Sequence, residues 1–201
     1  MKETQLQTHI LRRRTALLRL TYTAVCLALA LVLPFLTGQL RELGQAFSPM
    51  HLPVLLCGYF CGWPWGLVCG FVAPILRSVC FGMPQMFPSA VGMAFELAAY
   101  GFLTGLLFRL LPKKLPYIYG SLIAAMLGGR AVGGLVNLVL LGLGSIPSYS
   151  LAVFWSSYFV GTWPGMVVQL ILVPLLVEAM RHAGLLYYGP ENAISRAPDK
   201  S

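Results

Sequence analysis

Apolar stretches of about membrane-spanning length recur along the chain, separated by short segments rich in Gly, Pro, Lys and Arg. The first, 20–35, follows Arg12, Arg13, Arg14 and Arg19. It is long for a signal core and has no small-residue cleavage site after Leu36, so it reads as a retained helix over 15–35. A polar connection, 37–47, comes next. The run Cys61-Gly62-Trp63-Pro64-Trp65-Gly66 then interrupts an apolar stretch and predicts a tight hairpin of two short helices, 49–62 and 65–80. Spans this short need tilting, local thinning or burial among longer neighbours.

Gly82, Pro84 and Pro88 mark 81–88 as a loop, and a fourth helix is expected over 89–111, closed by Lys113 and Lys114. A fifth follows over 117–143, with Gly128, Gly129, Gly133 and Gly134 at its middle. Beyond an outer loop, 144–150, a long sixth helix over 151–183 should kink at Pro164 and Pro174. The expected fold is all-α: a polytopic membrane bundle of about six transmembrane helices in one domain, 1–201, with a polar N-terminal segment, 1–14, and a polar tail, 184–201.

Composition agrees with the pattern. Hydrophobic residues make up 58% of the 201 positions and charged residues only 10%, with a mean hydropathy of +0.77. A soluble core cannot hide that much apolar surface. The net charge of +8 does not point to nucleic acid, because the basic residues flank spans and form no soluble stripe with interleaved aromatics. It records orientation: Arg12 to Arg14, Lys113, Lys114 and Arg181 fall on one side, which places both termini in the cytoplasm of a cell-membrane protein. Arg41 and Arg77 fall on the other.

Glu96 and Arg130 are ionisable residues inside separate spans. Each costs roughly 2.5–3.5 kcal/mol near the bilayer centre on insertion scales, so such groups face a bundle interior and commonly serve a substrate path. Counted from the outer loops, their depths allow a pair, with Arg130 somewhat deeper. Arg130, Gly133, Gly134 and Asn137 share a helical face. The glycines suit close packing, but the amide and guanidinium need partners that lipid does not supply. Trp155, Tyr158, Trp163 and Gln169 add aromatic and polar groups to the sixth helix, suited to a small, flat, partly polar ligand. Arg77 either joins the same outer vestibule or snorkels to the interface, and His51 either meets a ligand or is a solvated histidine at a helix start.

Catalytic and metal chemistry find little support. Cys26, Cys57, Cys61, Cys69 and Cys80 lack a matching set of ligands and read as packing residues. No phosphate-cradling glycine loop carries a lysine, so the chain has no recognisable ATPase of its own. The intramembrane serines lack a histidine partner.

The layout resembles the substrate-binding S components of energy-coupling factor vitamin transporters over nearly the whole chain. The resemblance rests on about six spans, Ala24-Val25-Cys26-Leu27-Ala28 on the first, a long first outer loop, the stretch from Ser48-Pro49-Met50-His51-Leu52-Pro53 through Phe87-Pro88, Met83-Pro84, and Ala94-Phe95-Glu96-Leu97-Ala98. It implies a nonenzymatic binding subunit that captures a vitamin or related micronutrient from outside. Ala24 and Ala28 would then face a transmembrane coupling subunit, and two cytoplasmic ATPases would supply energy from ATP. Ligand binding would close the outer loops, and reorientation of the bundle would release the ligand inside. The positions expected to bind substrate are Glu96, Arg130, Asn137, Trp155 and Tyr158, with Arg77 and His51 behind them. Two cations favour an acidic ligand such as pantothenate. The competing classes are a lipid-directed membrane enzyme using Glu96 and His51 as acid and base, and a structural assembly protein.

Overall fold

The computed structural model describes residues 2–36, 47–112, 114–144 and 150–183, with side chains left undescribed at 2–8, 11, 12, 36 and 151. The expected loops at 37–47 and 144–150, Arg41, Lys113 and the tail 184–201 lie wholly or largely outside the described residues.

Helix α1 covers Lys2–Leu36, α2 His51–Cys61 and α3 Trp63–Phe81. An irregular turn, Met86–Ala90, with Phe87 in extended backbone, leads into α4, Val91–Leu110. Helix α5 is Leu115–Gly142, α6 the short Leu151–Trp155 followed by a widened turn, Ser156–Val160, and α7 is Trp163–His182. Among the described residues, five helical stretches are long and apolar enough to cross a membrane, and α2 is a shorter apolar helix. The protein is therefore an all-α, multi-pass membrane protein.

Two boundaries differ from expectation for identifiable reasons. Helix α1 continues back to Lys2, because the polar segment is built of good helix formers and contains neither Gly nor Pro. The expected sixth helix is divided at Gly161–Thr162 instead of kinked. Pro164 lacks an N–H, and in a continuous helix its ring would crowd the Val160 carbonyl, so it opens a new helix at its first turn, whereas Pro174 is absorbed inside α7.

Helix α2 is the hub. Ten of its eleven residues are buried, and it contacts α1, α3, α4 and α7. At about 1.5 Å per residue it spans only half of a ~30 Å hydrocarbon core, so its exposed backbone ends must be covered by longer neighbours. Gly62, at φ 90°, permits the abrupt reversal into α3. Glycines then draw α3 onto α4: a Cβ at Gly66 or Gly101 would strike the other's backbone, and one at Gly70 would strike Leu97. Helices α4 and α5 run antiparallel in register, with Gly92 facing Asn137, Glu96 facing Gly133, and Tyr100 facing Gly129.

Candidate functional site

The helical repeat places Glu96 and Tyr100, four apart, on one face of α4, and Arg130, Gly133 and Asn137 on one face of α5. These faces meet. His51 joins them from the first residue of α2, and Tyr158 and Phe159 from the turn that follows α6.

Glu96 faces His51, with Oε1 and Nε2 separated by 3.7 Å and both side chains buried. The expected Glu96–Arg130 ion pair is not formed. Arg130 sits one turn deeper and donates its Nε–H to the Tyr100 hydroxyl at 3.2 Å. Its guanidinium also lies over Phe159, 5.1 Å from the ring centroid. Tyr100 therefore links Arg130 to His51: its ring also packs edge-on against His51, with centroids 5.2 Å apart.

One turn nearer the outer end, Asn137 donates to the Tyr158 hydroxyl at 2.9 Å. Gly133 makes this junction possible, since a Cβ there would press on both the Tyr158 hydroxyl and the Glu96 side chain. Gly128, Gly129 and Gly134 instead seat the side chains of Leu103, Tyr100 and Phe154, so their role is packing.

Two polar atoms at this junction are buried without a hydrogen-bond partner: Arg130 Nη1 and His51 Nδ1. Arg130 is 5% exposed and His51 7%, so bulk water does not serve them. A buried donor left unmade costs about 1–3 kcal/mol, more when it is charged. The arrangement thus offers an anchored cation with a free arm and, across Tyr100, an imidazole with a free nitrogen.

Other expected site residues lie elsewhere. Arg77 is buried, but it donates through Nη1 to the Leu31 carbonyl of α1 and packs against the Phe35 and Phe81 rings at 5.1 and 5.6 Å. It fastens α1 to α3, and neither the outer vestibule nor snorkelling describes it. Trp155 is 53% exposed and packs on Phe159 and, more distantly, on Phe154, which in turn packs on Tyr158, so it borders the site through these rings. Trp163 is exposed on the bundle exterior, while Gln169 is buried. His51 is not solvated. Tyr100 and Phe159 were missed by sequence reasoning; Tyr100 was discoverable from its four-residue spacing after Glu96, whereas Phe159 had no such signal.

Ala24 and Ala28 are exposed on one face of α1. All five cysteines are free thiols, four buried and Cys80 exposed.

A family model described as "ECF transporter, substrate-specific component" matches residues 18–177. No curated protein and no solved structure matches the chain. The match runs from the middle of α1 through most of α7, and the chain belongs to this family of transporter components.

Proposed function

We propose that this family member is the substrate-capture subunit of an ATP-driven importer for an acidic micronutrient, held among α2, α4, α5 and the turn after α6. One observation carries the reading: Arg130, buried in a membrane span, has a guanidinium with one nitrogen anchored and another unpartnered. A carboxylate or similar anion would satisfy the open arm by a charge-assisted hydrogen bond. Glu96, His51, Asn137 and Tyr158 complete the surroundings. Arg77 and Trp155 are left out of the ligand shell because their contacts lie elsewhere.

The chain itself performs no chemical conversion in this reading. Energy comes from two cytoplasmic ATPases acting through a transmembrane coupling subunit, against which Ala24 and Ala28 present a close-packing surface. Both termini are cytoplasmic, so the site is reached from outside.

The test has two arms. Purified protein should gain thermal stability with an acidic micronutrient from a vitamin panel, and Arg130→Ala, folded, should lose that gain. Tagged protein should also copurify with a coupling subunit and ATPases. A response unchanged in Arg130→Ala removes Arg130 from the site; failure to copurify rejects the importer role.

A further inference from the structure

We infer that Cys26 and Cys57 form a modification site, at which a lipid-borne hydroperoxide oxidises the two thiols to a disulfide that staples α1 to α2.

Four buried cysteines gather where α1, α2 and α3 meet, with Cys57 at their centre. Its thiol is in hydrogen-bonding contact with those of Cys26 on α1, Cys61 on its own helix and Cys69 on α3. Cys57 lies about 9 Å along α2 from His51, so the sulfur cluster is separate from the polar junction around Arg130. Among the described residues no group of His, Cys, Asp or Glu side chains is arranged to hold a metal ion. What neighbouring sulfurs offer instead is thiol–disulfide chemistry.

Geometry selects the pair. Cys61 stands one helical turn after Cys57, where Cβ atoms are about 5–6 Å apart, beyond the roughly 3.5–4.5 Å that a disulfide needs. Thr23 and Cys26 share a face of α1 and bracket the Cys57 sulfur. Cys57 donates to the Thr23 hydroxyl at 3.7 Å, and that hydroxyl in turn donates to the Arg19 carbonyl at 2.8 Å. The Cys57 thiol is thus directed at α1, which selects Cys26 over Cys69 as its partner.

Access selects the oxidant. Cys57 is completely enclosed, while Cys26 is 6% exposed on the span with the smallest buried share, 17%. Thiol reactivity depends on access, and within a bilayer the edge of Cys26 is met from the acyl chains and not from water. The Cys26 sulfur attacks the terminal peroxide oxygen, the O–O bond breaks, and the thiol proton leaves with the alkoxide as an alcohol. The Cys57 sulfur then attacks the sulfur of the Cys26 sulfenic acid; the S–S bond forms, the S–O bond breaks, and the hydroxyl departs with the Cys57 proton as water. The two sulfurs together lose two electrons, which the peroxide accepts. Ala24 and Ala28 lie on the exposed face of the same helix, so the link leaves that face open.

Full-length protein carrying Cys80→Ser, which removes the exposed thiol, should be reconstituted in nanodiscs and treated with cumene hydroperoxide. Intact mass, free-thiol count after denaturation in dodecyl sulfate and a peptide map are read. The expected result is a loss of about 2 Da and of two of the four buried thiols, a peptide joining Cys26 to Cys57, and reversal by dithiothreitol. Cys26→Ala on the same background should abolish the mass loss.

Four thiols left free, oxygen added without a link, or a disulfide joining Cys57 to Cys69 overturns the proposal. So does a mass loss that persists in Cys26→Ala. Where Cys26→Ala fails to give monodisperse protein, the peptide map of the Cys80→Ser protein decides.

Discussion

Tyr100 holds Arg130 by a single hydrogen bond, its hydroxyl accepting the Nε–H at 3.2 Å inside the bundle. That bond orients the cation and leaves Nη1 open. Tyr100→Phe keeps the ring against His51 and removes only the anchor. Its expected cost is about 1–3 kcal/mol of stability, with about a tenfold loss of affinity for an anionic ligand. Thermal unfolding and ligand titration of the same preparation measure both.

Arg77 and Arg130 should separate cleanly. Arg77→Met removes a hydrogen bond to α1 and two ring contacts, so it should lower the thermal midpoint while leaving ligand affinity within about twofold. Arg130→Met should abolish the ligand-induced rise. Equal losses of affinity in the two would return Arg77 to the ligand shell.

The α3–α4 seam makes a steric prediction. Gly101→Ala drives a methyl into the Gly66 backbone, where neither helix can yield locally, and should destabilise by about 1–3 kcal/mol or more. Gly120→Ala meets nothing within 4 Å and should be neutral or slightly stabilising, since alanine is the better helix former. Thermal midpoints in one detergent compare them.

Ala24→Trp and Ala28→Trp place bulk on an exposed face of α1. The isolated protein should fold and bind ligand as before, and copurification with the coupling subunit should fall at least severalfold. Loss of ligand binding with assembly retained would contradict this division of roles.

Among the cysteines only Cys80 is exposed, near the end of α3 opposite the cationic ends of α1 and α7. A membrane-impermeant maleimide applied to intact cells should label one thiol, and Cys80→Ser should remove the label. Labelling only after lysis would reverse the orientation assigned from the basic residues.

Long apolar runs and their breakers showed the helices, because lipid forces backbone hydrogen bonds to close within each segment. The division before Trp163 was harder to see: whether Pro164 kinks a helix or restarts one depends on whether neighbours cover the freed carbonyls. The residues of the site were legible as costly polar groups, but their pairing was not. Glu96 and Arg130 have suitable depths, yet a helical face has an azimuth as well as a depth, and packing turned Glu96 toward α2. Arg77 stands out in the sequence for the same reason as Arg130, and only tertiary contacts reveal that it bonds to α1 and packs on Phe35 and Phe81.

The glycine seam also apportions labour within the bundle. In α4 and its lead-in turn 56% of the spanning window is buried, against 17% for α1 and 28% for α7. Backbones in direct contact at Gly66 and Gly101 cannot slide without collision, so α3 and α4 form a stator. If cargo binds at Arg130 as proposed, its entry would fall to the less buried helices around that pair.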